Sequence, residues 1–324
     1  MPWALHERIV EKKARYGRLR TGMSRKALGD LMGRMEAEFV YNSNKIEGST
    51  LTRGETDLVL QGVTVGRRPL SGIISKSLDD IRAAGNHPGA MDLIRRLAFD
   101  ASHRISEREI RSVHGLLMRG IVPDAGAYRT DDRAVRGAEF VPPPPYEVGP
   151  MMKKLADFVN CNPDELTPVE LAAQAHYDLA WIHPFSDGNG RTARLVMNFI
   201  LLRNGYPFTI VRDVERKTYL GALRRMDTEG DIEPFTTYVA RCVEQTLDMF
   251  LQETGRPDLL PLGRLAGNTP YSAEYLGLLA RKGRIDAVKK GKTWMSTRKI
   301  IAAYVAQQKG RTGTRPGRAK TRRR

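Results

Sequence analysis

A mainly helical protein is predicted, and three observations predict it. Apolar residues recur at helical spacing over most of the 324 residues, the pattern of helices that bury one face. Three of these stretches open on a capping box, at Thr52 to Glu55, Ser106 to Glu109 and Thr167 to Glu170, where a hydroxyl and a carboxylate satisfy the free amides of a helix start. Segments suited to strands are short and fall around residues 134–140 and 285–296. The expected fold class is therefore all-α in the main, with a small β-hairpin and a C-terminal module of helix, turn, helix and hairpin.

Taken in order, residues 4 to about 42 read as amphipathic helix interrupted near Thr21-Gly22, and residues 72–98 as another. Between them runs Tyr41-Asn42-Ser43-Asn44-Lys45-Ile46-Glu47-Gly48, with Gly48 where an ordinary C-terminal cap is expected. Ser43 and Glu47 are four apart and share one helix face, which a cap alone does not explain. Ser106 starts a helix reaching about Arg119. Ala134, Val135, Arg136 and Gly137, then Ala138-Glu139-Phe140, suggest a hairpin centred on Gly137, which the prolines at 142–145 stop. Thr167-Pro168 opens the apolar helix that runs to Ile182, and Leu195, Val196, Phe199 and Leu202 place another helix over Arg191 to Leu202. Helical spacing continues through Asp213 to Thr228 and Ile232 to Leu251, and residues 253–257 read as a linker.

Charge divides the chain. The last 69 residues carry 18 Lys and Arg against 3 Asp and Glu, whereas the preceding 255 are nearly neutral. Cys161 and Cys242 are too few for a disulfide framework and neither stands in a Cys-x-x-Cys pattern. A start peppered with charge and the lack of any long apolar run exclude a signal peptide or a membrane span, so a cytoplasmic protein is expected.

The chemistry concentrates in His183-Pro184-Phe185-Ser186-Asp187-Gly188-Asn189-Gly190-Arg191-Thr192-Ala193-Arg194. Glycines at a helix entry let the backbone approach a ligand, and the free amides with the positive end of the helix dipole suit phosphate. Arg191 and Arg194 lie three apart on that helix and can each grip phosphate, while Asp187 is a hard carboxylate suited to Mg2+ arriving with it. His183 titrates near neutrality and is the natural base for a hydroxyl proton.

This stretch resembles the signature of the Fic family, His-x-Phe-x-Asp/Glu-Gly-Asn-Gly-Arg-x-x-Arg, at every specified position. The resemblance implies a helical core that transfers AMP from Mg2+-bound ATP to a Ser, Thr or Tyr hydroxyl of a target protein. By it, His183 is the general base, Asp187 holds the metal, Gly188, Asn189 and Gly190 form the anion hole, Arg191 and Arg194 bind phosphates, and Phe185 anchors the loop. Ser43-x-x-x-Glu47-Gly48 resembles the family's inhibitory motif, in the subclass that carries it ahead of the core; Glu47 would then pair with Arg194 where the γ-phosphate belongs. The 134–137 segment resembles the flap that covers the nucleotide and offers a strand edge to the target, although a purely structural hairpin remains an alternative. Tyr219 falls where the family sets an aromatic against the nucleotide, and Asp227 stands where relatives usually have asparagine.

The four expected regions are residues 1–100 with the inhibitory motif, the catalytic core 101–254, a module at 258–308 and a basic, disordered tail at 309–324. The module resembles a winged helix-turn-helix, which implies DNA as a partner through Arg281, Lys282, Arg284, Lys289, Lys290 and Lys292; docking on protein is the alternative. Two further functions stay open, a DNA-binding regulator whose core senses nucleotide, and an enzyme that also removes AMP. A homo-oligomer is compatible with all of these.

Overall fold

The computed structural model describes residues 1–62, 76–100, 102–134, 140–254, 260–267, 269–282, 284–285, 287–290 and 293–312. They form two compact units, Met1–Leu251 and Gln252–Arg324. The protein is mainly helical, as the periodicity predicts.

The first unit is built around two helices, α7 (Pro168–Ile182) and α8 (Asn189–Arg203). Every α8 residue except Gly190 and Arg203 is buried, so this helix is the core rather than a face of it, and each large apolar side chain there contributes about 1.5–3 kcal/mol by leaving water. The helices α4 (Leu78–Phe99) and α5 (Glu107–Leu117) pack on α8 and on each other, and α6 (Pro145–Cys161) packs on α7. On the N-terminal side α1 (Trp3–Gly22) buries Leu5, Ile9 and Tyr16, and its Arg8 and Lys12 pair with Glu244 of α10 (Glu233–Thr254). Next, α2 (Arg25–Ile46) is capped by Ser24, and α3 (Arg53–Leu60) by the Thr52 box. A 3-10 turn at Asp213–Glu215 leads into α9 (Arg216–Glu229).

Several boundaries differ from expectation. The break near Thr21-Gly22 comes at Met23-Ser24, and α2 then continues through Ser43 to Ile46. The last of the prolines read as stopping the hairpin opens α6, because Pro145 occupies its first position, where no amide is needed; residues 135–139 of that hairpin lie outside the described residues. The helix following the glycines starts at Asn189, not Arg191, with Gly188 as its cap at φ 79°. Helix α10 runs to Thr254, two residues into the span read as a linker, and the rest of that span, 255–257, lies outside the described residues.

The second unit has its own core of Leu262, Leu265, Leu276, Leu279, Ile285 and Ile301. Strand β1 (Leu260–Pro261) precedes α11 (Leu262–Ala266) and α12 (Ala273–Arg281); the hairpin of β2 (Val288–Lys290) and β3 (Thr293–Ser296) follows, and α13 (Arg298–Thr312) ends it. The sheet order is β1-β3-β2, antiparallel throughout, with Val288 opposite Met295. Helix α13 extends four residues into the span expected to be a disordered tail. Arg281, Lys282, Arg284 and Lys289 are exposed, Lys290 ends β2, and Lys292 lies outside the described residues.

Candidate active site

His183 is the C-terminal cap of α7, in a left-handed conformation at φ 50° that a side chain with a Cβ seldom adopts. Its amide donates to the Leu179 carbonyl at 3.0 Å. Its Nδ1 lies 3.2 Å from the Ala180 carbonyl; with Nδ1 donating there, Nε2 carries the lone pair. Burial holds the imidazole below its ordinary pKa, the Ala180 carbonyl works against this, and the Arg129 charge adds to the lowering. The ring is therefore neutral at pH 7 and able to take up a proton.

The loop after His183 is fastened from three sides. Phe185 is fully buried, its ring stacked on His114 at 3.7 Å between centroids and 2° between planes. The Asn189 side chain accepts from the Phe185 amide at 3.0 Å and donates to its carbonyl at 2.8 Å. His114 accepts the Gly126 amide on Nδ1 at 2.8 Å, which leaves Nε2 to donate to the Asp187 carbonyl at 2.9 Å. Burial lowers the His114 pKa as well, so this bridge stays in its neutral form.

Arg194, 1% exposed, reaches from the first turns of α8 to the end of α2. Its Nε donates to Ser43 Oγ at 3.0 Å, and its Nη2 to the Ser43 carbonyl at 2.9 Å and to Glu47 Oε1 at 2.7 Å. Nη1 is buried and makes no hydrogen bond among the described residues. A Cβ added to Gly190 would lie 2.6 Å from Glu47 Oε1 and 3.2 Å from Arg194 Nη1, so the carboxylate and the unpartnered nitrogen border the space over the start of α8, where a helix favours an anion. The end of α2 is held there by Asn42, whose Oδ1 accepts the Asp213 amide at 3.0 Å, and by Arg216, whose Nε donates to the Ile46 carbonyl at 2.7 Å. Gly48, at φ 98°, turns the chain away.

Asp187 is half exposed; one oxygen accepts the Gly188 amide at 2.6 Å and the other pairs with Arg191 Nη2 at 3.2 Å. Arg191 is buried in this pair rather than lining the cavity. No group of three carboxylate, histidine or cysteine side chains suited to a metal occurs among the described residues. A single exposed carboxylate, already engaged by the Gly188 amide and Arg191, fits a hard divalent cation whose other ligands are water and substrate phosphates, and does not fit one held by protein alone.

Glu47, His183, Asn189 and Gly190 line a cavity of about 600 Å³. Phe140, Tyr177, Trp181, Leu220 and Leu223 give it apolar walls. Tyr219 is in the wall, but its hydroxyl turns into the core and meets His176 Nε2 at 3.0 Å. Tyr177 donates to Asp227 Oδ1 at 2.9 Å. Ala134 is exposed, and Val135, Arg136 and Gly137 lie outside the described residues. Sequence reasoning passed over Arg129, His114, Tyr177, Trp181 and Arg216; the aromatics and the histidine read as apolar helix faces, and nothing local marks the two arginines.

The profile of the Fic/DOC family matches residues 104–201. A Nematostella vectensis protein named Protein adenylyltransferase Fic is 35% identical over 228 residues, 70% of this chain and 50% of that one. The chain thus spans about half the length of the curated relatives it matches. Among solved structures, a Fic domain-containing signaling protein from Bacteroides thetaiotaomicron is 31% identical with a TM-score of 0.68, covering 76% of this chain and 98% of that one. A Fic family protein from Desulfovibrio desulfuricans, 22% identical, shares the fold at a TM-score of 0.60 over 92% of this chain and 96% of its own. Identity of this order across the whole of a solved relative, with the loop between α7 and α8 inside the matched profile, makes the chain a member of the Fic family.

Proposed function

We propose that the protein is a protein adenylyltransferase, moving AMP from ATP to a hydroxyl side chain of a target protein, and that Glu47 holds it inhibited. The observation that carries this reading is the pair between Glu47 and the buried Arg194 over Gly190. A buried guanidinium at a helix start calls for an anion, and in this state the Glu47 carboxylate meets its Nη2 while Nη1 has no hydrogen-bond partner among the described residues.

With nucleotide bound, the amides at the start of α8 and Arg194 hold the phosphates, and the apolar walls take the base. Asp187 would hold Mg2+ together with the phosphates, and the ion would offset charge on the departing pyrophosphate. The target hydroxyl gives its proton to Nε2 of His183. Its oxygen attacks the α-phosphorus in line, the bond from that phosphorus to the bridging oxygen breaks, and pyrophosphate leaves. A neutral His183 suits this step, since a ring already protonated at pH 7 accepts nothing. A domain that only senses nucleotide needs the phosphate grip but no base.

Glu47 against Arg194 excludes the γ-phosphate and leaves the α-phosphorus misaligned. Incubation with ATP labelled at the α-phosphorus tests this. Glu47→Gly should incorporate label well above the unaltered protein, because a misplacement of about 1 Å at a reacting centre costs on the order of 100-fold. Glu47→Gly with His183→Ala should incorporate none while binding nucleotide within a few-fold. A single variant no faster than the parent sinks the inhibition. Label from the γ-phosphorus instead would make the enzyme a phosphotransferase.

For the second unit we propose a winged helix-turn-helix that binds DNA. Its helix-helix-hairpin order and the exposed Arg281, Lys282, Arg284 and Lys289 favour this.

A further inference from the structure

Arg129 is 3% exposed, and no carboxylate forms an ion pair with it among the described residues. Its donors go to main-chain carbonyls instead: Nε to His183 at 2.8 Å, Nη1 to Asp131 at 2.9 Å, and Nη2 to Pro143. Its own amide donates to the Pro184 carbonyl at 2.9 Å. A buried charge with no carboxylate in direct contact, helped by Asp132 and Asp131 only through space, is costly, and a fold retains one where something depends on it.

What depends on it is visible around His183. The peptide before its Cα is pinned by the amide bond to Leu179, and the peptide after it by Arg129 Nε and, one residue on, by the Arg129 amide. With both flanking peptides fixed, φ and ψ have no freedom and the direction of the Cα–Cβ bond is set. The Nδ1 contact to Ala180 then fixes the ring. His183 needs such support because its left-handed conformation is one a Cβ disfavours. A cation at the end of α7 would be favoured by the helix dipole in any case, but that alone requires neither a fork shared among three carbonyls nor a contact to the strained residue.

We infer that Arg129 is a positioning residue for the base: it holds the His183 carbonyl, and through it the imidazole, in register for proton transfer, while tying Asp131 and Pro143 to the same point. The inference rests on the transferase reading and assigns Arg129 no contact with nucleotide.

Arg129→Met and Arg129→Lys, each placed in Glu47→Gly, test it. The expected result is a fall in kcat on the order of 100-fold with KM for ATP within about threefold, since the loss is one of alignment and not of phosphate grip. Lysine should fare little better than methionine, because one ammonium cannot serve the three carbonyls that the fork reaches. Guanidinium ion at tens of millimolar should restore part of the kcat of Arg129→Ala and none of that of His183→Ala. Independently of activity, the ring resonances of His183, assigned with His183→Ala in a histidine-labelled sample, should move in Arg129→Lys. An unchanged kcat with unmoved His183 resonances overturns the inference, as does a loss of thermal stability that accounts for all the lost rate. Failure of both the lysine and the methionine variants to fold makes Arg129 structural and also ends it. If Glu47→Gly with Arg129 intact transfers nothing, the transferase reading fails while the resonance shift still reports on Arg129.

Discussion

At Gly188 the chain turns at φ 79°, and a Cβ there would lie 2.7 Å from Met118 Sδ and 3.3 Å from His114 Nε2. Gly48 turns at φ 98°, and a Cβ there would meet nothing within 4 Å among the described residues. The two glycines separate strain from crowding. Gly48→Ala should cost about 1–2 kcal/mol, the penalty of the left-handed region alone. Gly188→Ala should cost about 2–4 kcal/mol, since overpacking against α5 adds to that penalty. Urea unfolding of both variants measures the difference, and equal losses would mean that Met118 yields without cost. Both glycines are legible in the sequence as turn formers, yet nothing near Gly188 announces Met118 or His114, which lie some seventy residues earlier.

Among the elements, α2 and the second unit carry the most consequence. Helix α2 has to run through Ser43 to Ile46 for Ser43 and Glu47 to meet Arg194, and Asn42 and Arg216 fasten its end. The four-residue spacing of Ser43 and Glu47 is visible in the sequence; the partners that fix the helix end come from the segment 213–216. Helix α6 was hidden by its own prolines, Pro145 at the start and Pro150 within. In the second unit, the exposed Arg281, Lys282, Arg284 and Lys289 lead to a measurable outcome. The full chain should bind duplex DNA with an affinity that falls steeply with salt, because each phosphate neutralised releases counterions. Loss of residues 309–324 should weaken binding to all sequences alike, as expected of contacts to the backbone. Full-length protein that fails to shift duplex DNA at low salt excludes this role.

Over the whole first unit, His87, His114 and His176 are buried and His183 lines the cavity, and burial sets how stability follows pH. His87 and His176 are held down at about 3, chiefly by burial, with nearby arginines contributing. His114 and His183 are lowered too. Unfolding frees each to titrate near ~6.5, so between pH 7 and 5 the unfolded chain binds more protons and stability falls as pH falls. Asp178 acts in the opposite sense, since burial raises it to about 6 and the folded state takes its proton first. Four groups outweigh one, and a net loss of about 2–4 kcal/mol from pH 7 to pH 5 is expected. Urea midpoints across that range measure it, and His87→Leu should flatten the slope by about one proton's worth. A flat profile would mean that the interior admits water.

The sequence by itself determined the helical class, the basic end and the reactive loop, because each is local: periodicity, charge and an unbroken run from His183 to Arg194 need no distant residue to be read. Only the tertiary structure decided how that loop is held. His183 depends on Arg129, Phe185 on His114, and Arg194 on Ser43 and Glu47, and the last pair is separated by 147 positions in the chain. Such contacts arise when helices bury their apolar faces against one another, and the packing, not the spacing along the chain, chooses which polar groups meet.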